Sequence, residues 1–138
     1  MYVVGSLNAD HRVRVVSIPM PGETILGSDI VVGPGGKGAN QAVAASRAGA
    51  AATMIGACGD DTDGRLVRDS LARQGVDIRH VHVVAGSPTG RALITVDDQG
   101  GNTIVVSPGA NTLLTAEDVG AGLRSTNAGD LLLQLETH

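Results

Sequence analysis

The sequence predicts an α/β protein in which a mainly parallel central sheet is flanked by helices and a second, smaller sheet projects from it. Three observations carry this. Short runs of Val, Ile, Leu and Ala, of the kind buried on both faces, alternate with helical segments that stop at glycine. Two other stretches alternate apolar and polar residues, as strands with one wet face do. The apolar residues are also small: Phe and Trp are absent and Tyr2 is the only aromatic. A core made of many small contacts suits a parallel sheet under Ala-rich helices.

Tyr2–Ser6 reads as the first central strand, and Asn8-Ala9-Asp10 as the turn that ends it. From Arg12 to Val16 the pattern alternates, Arg12 and Arg14 against Val13 and Val15, which assigns this strand to the second sheet. Pro19, Pro21 and Gly22 turn the chain, and Asp29–Val32 resumes a strand. The glycine cluster Gly33-Pro34-Gly35-Gly36-Lys37-Gly38 leads into an Ala-rich helix over Ala39–Ala48, stopped by Gly49. Thr53–Cys58 is a buried-type strand. Thr62 is expected to cap a helix to about Gln74, with Leu66, Val67, Ser70 and Leu71 facing inward and Gly75 as the stop. After a short strand around Val81–Val84, Arg91–Val96 and Thr103–Val106 flank Asp98-Gln99-Gly100-Gly101-Asn102 as a β-hairpin. Thr115 and Asp118 have capping-box spacing and open a third helix. Leu131–Leu135 is a fourth buried-type strand, followed by Glu136-Thr137-His138. A central strand normally has neighbours and covering helices on both sides, so the sequence is expected to be cut from a longer one.

At 138 residues and 42% hydrophobic the chain fits one domain. A net charge of −4 without clustered Lys or Arg argues against a nucleic-acid or anionic-membrane partner. No basic segment precedes an apolar run at the N-terminus, and no apolar stretch is long enough to span a bilayer, so a soluble, cytoplasmic protein is expected. Cys58 is alone, which excludes a disulfide framework and a cysteine zinc site; it reads as a small buried residue. The sequence assigns no metal site.

In open α/β sheets ligands gather at the carboxyl ends of the parallel strands. Asn8 and Asp10, Gly59-Asp60-Asp61 and Glu136 lie at such ends. Asp10 could accept hydrogen bonds from neighbouring sugar hydroxyls, or merely bend the chain in an Asx-turn. Asp60 and Asp61 read as turn and pre-helix carboxylates, and Glu136 as a sugar contact or a solvated residue. The glycine cluster is not a Walker A loop, because Val31 replaces its first glycine and Gly38 stands where Ser or Thr must follow Lys37. Gly33, Gly35 and Gly38 do match G-x-G-x-x-G, but the preceding segment looks like the half-exposed sheet and not the first core strand of a dinucleotide site. A better use is a surface that reads hydroxyls. Glycines at 35 and 36 let a small polyol approach the backbone, and Lys37 and Asn40 add donors at a positive helix end.

Gly5-Ser6-Leu7-Asn8-Ala9-Asp10, Pro21-Gly22-Glu23-Thr24 and Gly35-Gly36-Lys37-Gly38-Ala39-Asn40-Gln41-Ala42 together resemble the ribokinase-like members of the PfkB carbohydrate kinase family. Gly59-Asp60-Asp61-x-x-Gly64, Gly109-Ala110-Asn111 and Leu133-Gln134-Leu135-Glu136 continue the match in order. The resemblance implies transfer of the γ-phosphoryl of Mg-ATP to the 5-hydroxyl of D-ribose, with a monovalent cation as a further cofactor. It implies that Asn8, Asp10, Gly35, Gly36, Lys37, Asn40 and Glu136 bind the sugar. Residues of about 12–33 and 90–106 would form a lid over it, and the lid would serve as a homodimer interface. The family's catalytic aspartate lies in a Gly-Ala-Gly-Asp motif, and none is present: Leu123 follows Ala121-Gly122, and Asn127 precedes Ala128-Gly129-Asp130. No catalytic residue is therefore assigned, most of the ATP site is expected outside the chain, and the chain alone is expected to be inactive. Phosphorylation of another sugar or a nucleoside, and a non-catalytic sugar-binding or dimerising module, are the competing readings.

Overall fold

The structure, a computed structural model, describes residues 1–124 and 129–137. Asn127, Ala128 and His138, which figured in the sequence reading, lie outside the described residues.

Eight strands and three helices follow in the order β1 (Tyr2–Val4), β2 (Asn8–Arg14), β3 (Val31–Gly35), α1 (Lys37–Arg47), β4 (Thr53–Gly59), α2 (Thr62–Arg73), β5 (Asp77–Val84), β6 (Gly90–Val96), β7 (Asn102–Ser107), a 3-10 turn (Gly109–Leu113), α3 (Ala116–Arg124) and β8 (Leu131–Leu133). The core sheet has the order β5-β4-β1-β8, parallel throughout. The second sheet has the order β3-β2-β6-β7, with β2 and β6 parallel at its centre and an antiparallel strand on each side. The expected α/β architecture with a second small sheet is therefore the observed one.

Both faces of β1 and β4, the inner strands of the core sheet, are covered, which is why they read as unbroken apolar runs. Val3, Met54 and Cys58 face α1 and α2 and pack with Ala39, Ala42, Val67 and Leu71. Val4, Ile55 and Ala57 face the other way, onto Ala110 and Leu114, with Val119 and Leu123 of α3 against them. Small residues set the spacing. A Cβ on Gly38 would lie 2.6 Å from the carbonyl carbon of Gly5, so α1 rests directly on the backbone that links the two sheets.

The segment expected to be a turn is strand instead. Asn8, Ala9 and Asp10 pair with Gly35, Pro34 and Gly33 on one side and with Gly90, Arg91 and Ala92 on the other. Ladder bonding on both sides overrides the turn preference of Asn and Asp, and it removes the Asx-turn reading. Gly33, Pro34 and Gly35 are likewise β3, which starts at Val31 and not at Asp29; Pro34 is tolerated because β3 is an edge strand. The loop shrinks to Gly36 (φ 93°), and α1 begins at Lys37, two residues before the expected start. G-x-G-x-x-G thus spans strand and helix of a different kind from a dinucleotide loop.

Other differences are smaller. Asp61, not Thr62, caps α2, accepting from Gly64 N at 2.8 Å. On α2 Val67 and Leu71 are buried as expected, but Leu66 and Ser70 are only half-buried, and Asp63 and Gly64 are buried in their place. β5 begins at Asp77, earlier than the Val81 expected. The capping box of α3 forms as read: Thr115 N donates to Asp118 Oδ2 at 2.9 Å and Asp118 N to Thr115 Oγ1 at 3.2 Å. No helix of the described residues is long and apolar enough to cross a membrane.

β8 is shorter than expected and is not buried. It pairs only with β1, and Leu131, Leu132 and Leu133 are 45%, 37% and 56% exposed. An apolar edge strand is a template for association. Leu133→Lys is expected to reduce concentration-dependent light scattering while moving stability by no more than about 0.5 kcal/mol. Unchanged scattering would show that the edge does not drive association.

Candidate functional site

The carboxyl end of β1 leads within three residues into β2, so the core sheet and the second sheet meet at Gly5–Leu7. The N-terminus of α1 arrives at the same place, because Ala39 N donates to Ser6 O at 3.1 Å. A Cβ on Gly36 would lie 2.6 Å from Ser6 O and 2.8 Å from Asn8 N. Only glycine combines that close approach with φ 93°. The result is a cavity of about 180 Å³, below the roughly 300–1,000 Å³ usual for drug-sized ligands.

Asn8, Asp10, Gly36, Lys37, Asn40 and Glu136 form its polar side. Six of the seven residues singled out in the sequence therefore converge. Gly35 does not line this cavity. It lies beneath Asp10, where any Cβ would collide with the carboxylate, and it borders a separate groove of about 270 Å³ between α1 and α2. Asp60 is exposed and Asp61 is occupied as a helix cap.

The strand alternation of the second sheet supplies the opposite wall. Asp10 is in register with Ala92, and Ala92 with Val106; Arg12 is in register with Ile94, and Ile94 with Ile104. All share one face. Ala92, Ile94, Ile104 and Val106 thus give the cavity an apolar wall. Sequence reasoning placed these residues, through the resemblance, in a lid of about 90–106 without singling them out; counting register outward from the loop would have put them on one face.

Each polar group has a defined state. Asp10 has its carboxyl pushed above the usual value by burial, with Arg12 and His11 opposing, and it accepts no hydrogen bond among the described residues. Glu136 is held below its usual value, first by the hydrogen bond from Lys37 Nζ (2.5 Å), against burial, and also by Ser6 Oγ (3.1 Å). Ser6 is itself fixed by Gln134, whose Oε1 accepts from Ser6 N at 3.0 Å and, also at 3.0 Å, shares the single Ser6 hydroxyl proton with Glu136. Asn8 Oδ1 accepts from Asn111 Nδ2 at 2.8 Å, which leaves Asn8 Nδ2 as a donor for the cavity. α1 has neither a side-chain cap nor an acidic residue in its first turn, so its positive end is left to whatever binds there.

Ser6, Gln134 and Asn111 are the residues that sequence reasoning missed. They lie in motifs noted there, but apart from Pro108 their partners are 103 to 130 residues away.

The Lys37–Glu136 pair is exposed on the lysine side (70%), so it adds little to folding. Glu136→Gln is expected to change unfolding stability by less than about 1 kcal/mol at neutral pH. Because the folded value of Glu136 is depressed, what it contributes is present above its unfolded value and lost as pH falls through the folded one. Thermal melts that separate the two proteins equally at all pH values would contradict this.

Chemically, the site offers a carboxylate acceptor, an amide donor and a paired ammonium–carboxylate across from a flat aliphatic wall. That combination suits a small polyol, with hydroxyls read on one side and C–H groups packed on the other.

Residues 1–131 match the model of the pfkB family carbohydrate kinases. The chain is 41% identical over 136 residues to a ribokinase of Haemophilus influenzae, covering 98% of this chain and 44% of that protein. Among solved structures it is similar to the ribokinase of Giardia lamblia (TM-score 0.89, 34% identity, 99% of this chain and 42% of that one). It is also similar to the Arabidopsis thaliana ribokinase complexed with ribose and ATP (TM-score 0.82, 35% identity, 99% and 45%). The chain spans less than half the length of these relatives. With the family match extending over nearly every strand and helix that builds the cavity, the chain belongs to the PfkB family of carbohydrate kinases.

Proposed function

We propose that this chain is the sugar-binding portion of a ribokinase, the enzyme that moves the γ-phosphoryl of ATP to the 5-hydroxyl of D-ribose. The observation that carries this is the convergence of Asn8, Asp10, Lys37, Asn40 and Glu136 on one small cavity with an aliphatic wall. Asp10 accepts from two ribose hydroxyls, Asn8 Nδ2 donates and Asn40 donates or accepts beside it, and the Lys37–Glu136 pair fixes the far end of the sugar. The glycine at 36 lets the ring approach the start of α1.

The second sheet is the lid. Ala92, Ile94, Ile104 and Val106 cover the C–H face of the sugar and exclude water from it. The outer part of the same face exposes Val31 (58%) and Ile104 (54%), which supports its use as a homodimer contact. The buried thiol of Cys58 fits the reducing cytoplasm. ATP with Mg2+ supplies the phosphoryl group and the charge neutralisation of its transfer. The part played by this chain's residues is to bind and orient the acceptor. No Gly-Ala-Gly-Asp sequence is present to provide the base, so the chain by itself holds ribose without turning it over.

Titration calorimetry with D-ribose, D-fructose and adenosine, followed by ATP in the same cell, tests this. Heat with ribose alone, and no product after ATP, is the expected result. Binding of fructose or adenosine in preference to ribose would transfer the site to another sugar or nucleoside kinase. No heat with any of them would remove the sugar-site reading for this chain.

A further inference from the structure

Asp63 sits where the amphipathic pattern of α2 calls for an apolar side chain. It precedes Val67 and Leu71 at four-residue spacing on the buried face, and it is only 8% exposed. An aliphatic residue there would avoid the desolvation of a carboxylate, and replacing such buried ion pairs by apolar groups is often neutral or stabilising. A charge at that position points to a directional role.

Its partners give the direction. Asp63 Oδ2 accepts from Arg91 Nε at 2.5 Å and lies 3.3 Å from His11 Nε2. With a carboxylate as acceptor, it is Nε2 of His11 that carries the proton. Arg91 Nη2 also donates to Asp61 Oδ2 at 3.2 Å. Asp61 in turn accepts from Thr89 Oγ1 at 2.5 Å and from Thr89 N at 3.1 Å, and Thr89 Oγ1 accepts from Gly59 N at 2.9 Å. Thus the ends of β4 and β6 and the first turn of α2 are tied together.

His11 belongs to β2 and Arg91 to β6, the two central strands of the second sheet. Both point to the face opposite the cavity, because side chains alternate along a strand. Their immediate chain neighbours, Asp10 and Ala92, line the cavity and are in register with each other. One carboxylate on the body of the protein therefore grips both strands directly behind the residues that face the sugar.

We infer that Asp63, through Arg91 and His11, is a positioning residue that sets the angle of the lid over the sugar cavity. Where ribose is concerned this rests on the function proposed above; the attachment of lid to body does not.

The decisive variant is the double replacement Asp63→Leu with Arg91→Leu. It removes both members of the directional contact, and Asp61 keeps its hydrogen bonds from Gly64 N, Thr89 N and Thr89 Oγ1, so the protein is expected to unfold at or near the wild-type midpoint. Hydrogen exchange without sugar is expected to accelerate about tenfold in residues 8–14 and 90–96, with β1 and β4 unchanged. Ribose affinity is expected to fall about tenfold. Asp63→Asn, which keeps shape and one acceptor, should fall between the two.

Unchanged exchange in β2 and β6 of the folded double variant would overturn the inference, as would acceleration that simply follows β1 and β4. If the wild-type chain binds no ribose, the sugar reading fails, and the exchange measurement alone decides the hinge.

Discussion

Asp10→Asn is expected to weaken ribose binding by about a hundredfold or more while leaving thermal stability unchanged or slightly higher. Hydrogen bonds to a charged acceptor contribute roughly 1.5–3 kcal/mol each, and an amide offers only one neutral acceptor in place of two charged oxygens. The stability half of the expectation comes from the raised pKa of Asp10, whose first cause is burial. A carboxyl raised in the folded state adds stability below its unfolded value and loses it as pH rises through the folded one. At neutral pH the ionised group is therefore the less favourable native form, and an amide removes that cost. Binding has the opposite sign. It needs the carboxylate, so wild-type affinity is expected to decline on acidification as pH falls through the raised value of Asp10. Glu136, whose pKa is lowered, stays charged through that step. Calorimetry across the carboxylate range should show this decline in the wild type and its absence in Asp10→Asn. A variant that binds ribose as the wild type does would remove Asp10 from the site.

The same side chain shows where sequence reading reaches and where it stops. The class of Asp10 and its companions was legible: a short carboxylate after a core strand, and a glycine cluster opening a helix that carries Lys37 and Asn40. Its backbone setting was not. Asn8–Asp10 has the composition of a turn, and only the pairing of β2 with β3 and β6 makes it strand. Glycines and a proline hid the extension of β3 over Gly33–Gly35 for the same reason, since edge position and register are tertiary properties. The parallel core was readable because both its faces are apolar. β8 shares that composition, yet it is exposed because it is an edge strand paired only with β1 among the described residues. Asp63 was not singled out in the sequence, and its role shows only with Arg91 and His11 behind it.

Asn111 lies furthest from sequence inference, and its replacement is expected to have the largest effect on stability. It is 1% exposed and makes four hydrogen bonds. Oδ1 accepts from Leu7 N at 2.8 Å; the two hydrogens of Nδ2 are shared among three acceptors, Leu7 O, Asn8 Oδ1 and Pro108 O, at 3.0, 2.8 and 3.0 Å. Asn111→Asp keeps the shape and the bond from Leu7 N, and it sets a carboxylate oxygen against three acceptors. A buried charge without its partner costs about 3–5 kcal/mol, which for a domain of this size lowers the melting temperature by about 10–20 °C. Burial beside those acceptors raises the pKa of the introduced carboxyl. The lost stability is therefore regained as pH falls through that raised value, when the group can again donate one bond. The site follows. Asn8 can meet the new carboxylate only by turning its amide nitrogen away from the cavity, which exchanges the donor facing the sugar for an acceptor. Ribose affinity is then expected to fall about tenfold, the worth of one hydrogen bond, even at temperatures where the variant remains folded. Melting curves at several pH values, with calorimetry well below the midpoint, separate the two effects. Equal stability of variant and wild type at neutral pH would mean that water reaches Asn111. Equal ribose affinity in the folded variant would mean that Asn8 does not read the sugar through its amide nitrogen.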